Sequence, residues 1–347
     1  MSNGLTLIST GLHDEQDISL RGLEKARKCN ALYAELYTMI LDTDTQRLST
    51  LIGRKIHPLS RRMLEEQSDE ILERARTQRV GILIGGDCLS ATTHMSLLIE
   101  AKKRGIPVEV VHASSIFTAV AETGLSLYKF SRTVTLPLPE RGPPDTTLEV
   151  LKENMEQGLH TLILLDLDTE KGRHLPLPQA IGILLDAGKS EAFNPDTLCV
   201  ATARLGWEDS IIRSNKAVEL KGLDPGPPPH ALIVPGRLHF MEAEALKVIG
   251  GCPEEVLKGH APRGELTRLI EKYGTSCRRA VEELEHARLP QTITKEAVES
   301  LIGHAVRYLD DAEYYATERR ATALASVSYA EGILDALRLL DLVDFEW

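Results

Sequence analysis

The stretch "VEVVHASSIFTAV", residues 108–120, decides the architecture of the chain. Val108, Val110 and Val111 favour a sheet, with Ile106-Pro107 marking the strand's entrance. Ser114 and Ser115 then place short hydroxyls and free backbone N–H groups where an apolar helix opens at Ile116, Ala119 and Val120. A strand that runs straight into a helix through small polar residues is where ligands sit on open α/β sheets. The same serines would also serve as a plain helix cap, and the rest of the chain must choose between the two.

Upstream and downstream of this stretch, up to about residue 258, short apolar runs alternate with helical patterns. The runs are "LTLIS", "ALYAEL", "VGILIGG", "VEVVH", "RTVTLPL", "TLILLDL", "TLCVATA" and "HALIVPG". Between them, helical spacing is read at Ile18 to Lys28, Glu66 to Thr77, Ala91 to Arg104, Thr147 to Gln157, Leu177 to Ala187 and Phe240 to Ile249. This alternation predicts an α/β fold with a largely parallel or mixed sheet and helices on its faces. The Pro-rich segments "LPLPERGPPDTT" and "GLDPGPPPH" read as surface loops.

Two further strand ends carry ligand-type residues. In "ILIGGDCLSATTH", residues 82–94, an apolar strand meets two glycines, then Asp87, Ser90 and Thr92 before an amphipathic helix. Glycines let a ligand approach the backbone, and Asp87 can accept from hydroxyl or ammonium donors. In "STGLHDEQDIS" Gly11 turns the chain, and Asp17 or Ser19 can cap the next helix. Neither loop matches the phosphate loop of nucleoside triphosphatases or the GxGxxG dinucleotide fingerprint. The eleven histidines are dispersed, with no HExxH, and no serine sits in a GxSxG elbow, which disfavours metalloenzyme and hydrolase chemistry. His94, His112 and His230 stand beside the candidate loops, where hydrogen-bonded structural histidines are also common.

The formal charge of -11 opposes general binding to a nucleic-acid backbone. No apolar run reaches bilayer length, and the N-terminus lacks a basic n-region and a long h-region, so a cytoplasmic protein is expected. Cys29, Cys88, Cys199, Cys252 and Cys277 are scattered and without a CxxC pair, which predicts reduced thiols.

After "CPEEVLKGHAPRGE" the texture changes: residues 264–345 hold no strand-like run, and three helical patterns are separated by "RLPQT" and a break near Ala316. Leu266, Leu269, Ile270 and Tyr273 form one stripe. Val298, Ile302, Ala305, Val306 and Leu309 form the second, and Leu324, Val327, Ala330, Ile333, Leu334 and Leu337 the third. A small bundle is expected, or a hairpin needing a partner. Tyr308, Tyr314, Tyr315 and Tyr329 are read as core or helix-interface residues.

Taken together, "GLHDEQDISLRGLEKARKC", "AELYT", "GDCLSATTH", "HASSIFTAVAETGLSLYKF", "GLHTLILLDLDTEK" and "PPHALIVPGRLHFMEAE" resemble the diphthine synthases. These are S-adenosylmethionine-dependent methyltransferases of the tetrapyrrole-methylase fold group. The resemblance runs from about residue 7 to residue 257, and the segment beyond it looks like a small archaeal helical domain of unknown function. It implies a methyltransferase over 1–258, with lobes of about 1–113 and 114–258, followed by a helical domain over 259–347. It further implies a homodimer, an archaeal-type source, and cofactor contacts at Leu12, Asp87, Ser90, Ser115, Ile116, Leu165, Leu205 and His230. The implied substrate is translation elongation factor 2 carrying a 3-amino-3-carboxypropyl group on one histidine, whose amino nitrogen is methylated repeatedly.

The sequence departs from the family at the expected cofactor rim. Ser9 and Thr10 stand in a loop that is usually richer in glycine, and are expected to add bulk near the cofactor. Cys88 replaces a proline, Ser90 stands where valine is frequent, and Ser131 replaces a glycine. No base is assigned for removing the substrate's ammonium proton; His112, Asp166 and water are all candidates. The competing readings are a sibling methyltransferase acting on a corrinoid precursor or ribosomal RNA, and a non-catalytic scaffold built on a degenerate lobe and the helical tail.

Overall fold

The computed structural model describes residues 3–65, 67–187, 192–260, 265–284, 294–316, 319–340 and 345. The chain divides into two compact units, one of residues 1–154 with 159–260, the other of residues 261–347 with 155–158.

The first unit opens with β1 (Gly4–Ser9), α1 (Leu20–Arg27), β2 (Ala31–Glu35), α2 (Thr45–Ile52) and β3 (Ile56–Leu59). It continues through α3 (Arg61–Glu65), α4 (Asp69–Thr77), β4 (Arg79–Ile84), α5 (Met95–Lys103) and β5 (Val108–Val111). The five strands form one all-parallel sheet in the order β3-β2-β4-β1-β5. Both faces are covered, as parallel sheets require, so its central strands are predominantly apolar. Leu5, Leu7, Val80 and Ile82 pack against Leu72, Ala75, Leu97 and Ala101 of α4 and α5. Ile8, Leu32 and Leu83 pack on the other face against Ala26, Leu48 and Ile52 of α1 and α2.

A second sheet follows. Its elements are α6 (Ile116–Ala119), β6 (Val134–Leu136), α7 (Asp145–Glu156), β7 (Thr161–Leu165), β8 (Leu167–Asp168), β9 (Arg173–His174) and α8 (Leu177–Ala187). Then come β10 (Leu198–Ala203), β11 (Ile211–Lys216), α9 (Ala217–Leu220), β12 (His230–Val234), α10 (Phe240–Val248) and α11 (Glu254–Gly259). The order is β11-β10-β12-β7-β6, mixed in direction, with β8 and β9 as a separate short hairpin. Leu162, Val200 and Ile233 meet Leu246 of α10 and Val256 of α11 in its core.

The sequence reading missed β3 and β11, and both are edge strands. An edge needs only one hydrogen-bonded flank, so it tolerates the Pro58 of "IHPL" and the polar "IIRSNK", which hide the strand pattern. Helix α5 begins at Met95, four residues after the expected Ala91. The intervening residues are held in a turn by the Leu89 N–H and Ser90 hydroxyl on Asp87, and by the Thr92 hydroxyl on the Cys88 carbonyl. Ser19, not Asp17, caps α1, accepting the Gly22 N–H at 3.0 Å.

The second unit comprises α12 (Glu265–Leu284), α13 (Lys295–Tyr315) and α14 (Arg320–Leu339). Every pair of these helices packs, around Ile270, Val298, Ala305, Leu309, Val327, Ala330, Leu334 and Leu337. The expected stripes therefore meet in a three-helix bundle; the Leu266 side chain and the break at 288–292 lie outside the described residues. The tyrosines divide differently from the expectation. Tyr308 and Tyr315 are partly buried against the bundle core, whereas Tyr314 and Tyr329 fall off the stripes and are exposed, Tyr329 stacking on Tyr308 at 5.4 Å.

Candidate functional site

The carboxyl ends of β1, β4 and β5 release three neighbouring loops, and the arrangement of those loops builds one wall of a cavity of about 630 Å³. That size suits a small-molecule ligand. Gly11 and Gly86 exchange backbone hydrogen bonds at 3.2 and 2.7 Å, which ties the first loop to the second. Both adopt positive φ, +84° and +66°, a conformation that glycine takes without strain. The Asp17 carboxylate, freed from capping duty, accepts the N–H groups of Leu12 and His13 at 2.9 and 2.8 Å and fixes the loop from below.

Asp87 ties the second loop to the third. One carboxylate oxygen accepts the Leu89 N–H at 3.0 Å and the Ser90 hydroxyl at 3.1 Å; the other accepts the Ala113 N–H at 3.3 Å and faces the His112 ring at 2.7 Å. Four donors fill the acceptor sites of one carboxylate. Burial works to raise the Asp87 carboxyl, but these bonds outweigh it and hold it below the ordinary carboxylate value. Ser115 begins α6, and its N–H, expected to be free, is taken by the Thr118 hydroxyl at 3.2 Å. Ser115 therefore both starts the helix and lines the cavity.

The facing wall comes from the second sheet. Leu164, Leu165 and Asp166 follow along β7, Thr202 and Leu205 along and after β10, and His230 starts β12. His230 Nε2 lies 3.1 Å from the Gly226 carbonyl, which assigns the ring proton to that nitrogen. Nδ1 is then a buried acceptor with no partner among the described residues. Burial pushes the His230 ring below its ordinary value, so it stands neutral at pH 7. An unpaired buried acceptor costs stability unless a ligand donor reaches it.

All eight residues singled out from the sequence, Leu12, Asp87, Ser90, Ser115, Ile116, Leu165, Leu205 and His230, line this cavity. Ser9 and Thr10 do not, and the bulk expected of them at the rim is absent from the wall. Both are fully buried, Ser9 accepting the Cys88 N–H at 2.9 Å and Thr10 donating to the Ile84 carbonyl at 3.1 Å. A proline at 88, the residue expected there from the resemblance, would have no N–H to donate to the Ser9 hydroxyl. His112, with its side chain 67% exposed, reaches the site only through Asp87, whereas Asp166 is on the wall. Asp166 is already engaged by Arg141 at 2.7 Å and by the N–H groups of Leu138 and Leu167.

Sequence reasoning missed the loop after β2, whose Thr38, Met39 and Ile40 line the cavity, and the Glu35 that supports it. Glu35 is fully buried, accepts the N–H groups of Tyr37 and Thr38 at 2.8 and 2.9 Å, and lies 3.4 Å from His94. The available signal was an acidic residue ending an apolar strand in "ALYAE". Among the described residues no cluster of histidine, cysteine or acidic side chains could hold a metal, and no helix is long and apolar enough to cross a membrane.

Comparisons with known proteins agree with this geometry. The family model for tetrapyrrole (corrin/porphyrin) methylases matches residues 4–221, and a model for a protein of unknown function (DUF357) matches residues 272–343. The chain is 41% identical to a diphthine synthase of Methanocaldococcus jannaschii over 252 residues, 71% of this chain and 98% of that protein. It is 39% identical to the diphthine methyl ester synthase of Schizosaccharomyces pombe over 261 residues, 70% of this chain and 92% of that protein. A crystal structure of diphthine synthase superposes with a TM-score of 0.69 at 32% identity, covering 73% of this chain and 98% of that one. The residues lining the cavity suit the cofactor these enzymes use: Leu12, Leu165 and Leu205 present an apolar surface fit for an adenosine, and His230 Nδ1 is an acceptor without a partner among the described residues. With fold, cavity and sequence in agreement, the chain belongs to the diphthine synthase family, the S-adenosylmethionine-dependent methyltransferases of diphthamide biosynthesis.

Proposed function

We propose that this chain methylates the amino group of the 3-amino-3-carboxypropyl histidine of translation elongation factor 2, working in the cytoplasm of an archaeal-type cell as a homodimer. In this reading Leu12, Asp87, Ser90, Ser115, Ile116, Leu165, Leu205 and His230 form the cofactor site, and neither nucleic acid nor membrane takes part. The observation that carries it is the convergence of all eight on one cavity, at the carboxyl ends of the parallel strands and against the second sheet.

Bound S-adenosylmethionine supplies an activated sulfonium methyl whose leaving group is a neutral thioether. The chain's part is then to align and to dehydrate. Leu12, Leu165 and Leu205 present hydrocarbon, His230 Nδ1 takes one donor from the bound molecule, and Asp87 keeps the two strand-end loops together.

The test is intact-mass spectrometry of the aminocarboxypropyl form of the factor, incubated with this chain and S-adenosylmethionine. Stepwise methyl gains, absent from the unmodified factor, are expected. Nitrogen is saturated at three methyl groups, so a fourth, removable by mild base, would be an ester on the carboxylate, the product for which the fission-yeast relative is named. No gain on any form of the factor would refute the proposal.

A further inference from the structure

The loop that leads into His230 cannot hold itself. In "GLDPGPPPH" every residue from 225 to 229 except Gly226 is proline, so Gly226 alone carries a backbone N–H, and the Asp224 carboxylate takes it at 2.9 Å. The loop's carbonyls must therefore be met from outside. Arg204, the residue after β10, meets three of them. Its backbone N–H donates to the Pro229 carbonyl at 2.8 Å, and Nη1 donates to the carbonyls of Pro225, at 3.0 Å, and of Pro227. Asp209 holds the other side of the guanidinium, its carboxylate 2.8 Å from Nε and its carbonyl 3.1 Å from Nη2. Arg204 is buried and left-handed, at a φ of +51°, which a residue with a side chain adopts only where its surroundings impose it. Gly226 lets the guanidinium close in, since a Cβ there would lie 3.3 Å from Nη2. Between the two carbonyls that Nη1 takes, the carbonyl of Gly226 faces His230 Nε2 at 3.1 Å.

We propose that Arg204 is a positioning residue that makes His230 a hydrogen-bond acceptor for the cofactor, by holding the Gly226 carbonyl where it takes the ring's one proton; this rests on the cofactor site proposed above. A neutral imidazole carries its proton on one nitrogen, and the bond made by that nitrogen decides what the other presents. With the Gly226 carbonyl at Nε2, Nδ1 keeps its lone pair, and Nδ1 is the buried atom without a partner among the described residues. If the backbone of 225–227 turned, nothing would keep the proton on Nε2. An Nδ1–H would then meet the amino, hydroxyl and ammonium donors of S-adenosylmethionine proton to proton. Burial is the main force that keeps a second proton off the ring, and the fixed charge of Arg204 adds to it. A guanidinium serves several carbonyls at once in a rigid plane, which the point charge of a lysine does not.

The experiment reads the ring itself. Long-range proton–nitrogen correlation spectra of the full chain, labelled with nitrogen-15 histidine, report which ring nitrogen is protonated, and His230 is assigned by its loss in His230→Phe. At a pH of about 7.5 the parent should show His230 in the Nε2–H form alone, and its Nδ1 signal should move when S-adenosylmethionine is added. Arg204→Lys should draw the two ring-nitrogen signals together, because the proton is then shared between them. It should also weaken S-adenosylmethionine binding in titration calorimetry by about 5- to 30-fold, the effect of one hydrogen bond lost at a buried acceptor. In the His230→Phe background the same substitution should cost less than about twofold, because the path through His230 is gone. If Arg204→Lys does not fold, Asp209→Ala replaces it in the same cycle. That variant frees Nε alone and should cost about 2- to 5-fold with His230 present and less than about twofold without it. A parent ring protonated on Nδ1, an affinity that does not fall, a fall with His230 still in the Nε2–H form, or an equal fall in both backgrounds would each overturn the proposal and leave the cofactor site standing. A parent chain that does not bind S-adenosylmethionine would overturn the site and the proposal together.

Discussion

Asp87→Ala should weaken S-adenosylmethionine binding by about 30- to 150-fold, and the figure follows from which of its hydrogen bonds can be replaced by water. The Ser90 hydroxyl and the largely exposed His112 ring can turn to solvent at little cost. The N–H groups of Leu89 and Ala113, at 3.0 and 3.3 Å from the carboxylate, cannot turn without moving the loops that carry them. A hydrogen bond to an ionised acceptor contributes about 1.5–3 kcal/mol, and the longer Ala113 bond belongs at or below the low end. Both residues are half-buried, so water recovers part of the loss, leaving about 2–3 kcal/mol. Because loops from both residues line the cavity, this loss appears mainly in cofactor affinity. Asp87→Asn should fall between the parent and alanine: one oxygen still serves Leu89 and Ser90, while the amide nitrogen meets the Ala113 N–H donor to donor. Titration calorimetry with S-adenosylmethionine, with thermal unfolding of the same samples, makes the measurement. If Asp87→Ala binds within twofold of the parent while its melting temperature falls, Asp87 serves the fold alone and the reasoning fails.

Three other outcomes are expected. Trp207→Phe removes the indole N–H bond to the Leu12 carbonyl (2.9 Å) but keeps a ring against His13, so cofactor affinity should fall by about 3- to 10-fold with little change in melting temperature. Gly124→Ala introduces a methyl that overlaps Ala245 at a φ of +80°, costing about 2–4 kcal/mol; in that background Ala245→Gly should restore the part due to overlap and not the part due to φ, as read from urea midpoints. His160, His230 and His260 are pushed by burial below their ordinary value of 6.5, so the unfolded chain takes up protons first. Their contribution is complete above pH 6.5 and is lost as pH falls from there through the depressed values, and the urea midpoint should be lower at pH 5.5 than at pH 7.5.

The sequence discloses the first sheet best, because its central strands are buried on both faces and therefore read as predominantly apolar runs. The cavity wall is equally legible where its residues lie close together in one strand-end loop, as Gly85, Gly86, Asp87 and Ser90 do, and Ser115 with Ile116. What escaped notice depends on tertiary partners. The strands β3 and β11 are edges whose polar residues face no second strand. Glu35 acts at a distance of one loop from the cavity, holding the backbone of residues 37 and 38 that a motif search does not connect to a ligand. Ser9 and Cys88 look unconnected when read along the chain, 79 residues apart, and only the 2.9 Å hydrogen bond from the Cys88 N–H to the Ser9 hydroxyl shows that they meet.

The question of the base narrows once the wall is known. The described residues lining the cavity that could exchange a proton near neutrality are Asp87, Asp166 and His230. Asp87 has its lone pairs filled by four donors, and the Asp166 carboxylate is taken up by Arg141 and two N–H groups. His230 is pushed by burial to a value that makes it a weak acceptor of protons. The α-amino group of a peptide loses its proton at a pH of about 8; the adjoining carboxylate of this substrate raises that value, and a partly dehydrated cavity lowers it, because it disfavours the charged form. Water then suffices as the base, and the methyl donor's own reactivity makes stronger assistance unnecessary. The profile of kcat/KM against pH should accordingly rise with a single inflection on the alkaline side of neutrality, the property of the substrate amine. Asp166→Asn should lower the plateau, by loosening Arg141, without displacing the inflection. Should the inflection move in that variant, the proton passes through Asp166, and the balance of contacts drawn here for its carboxylate is wrong.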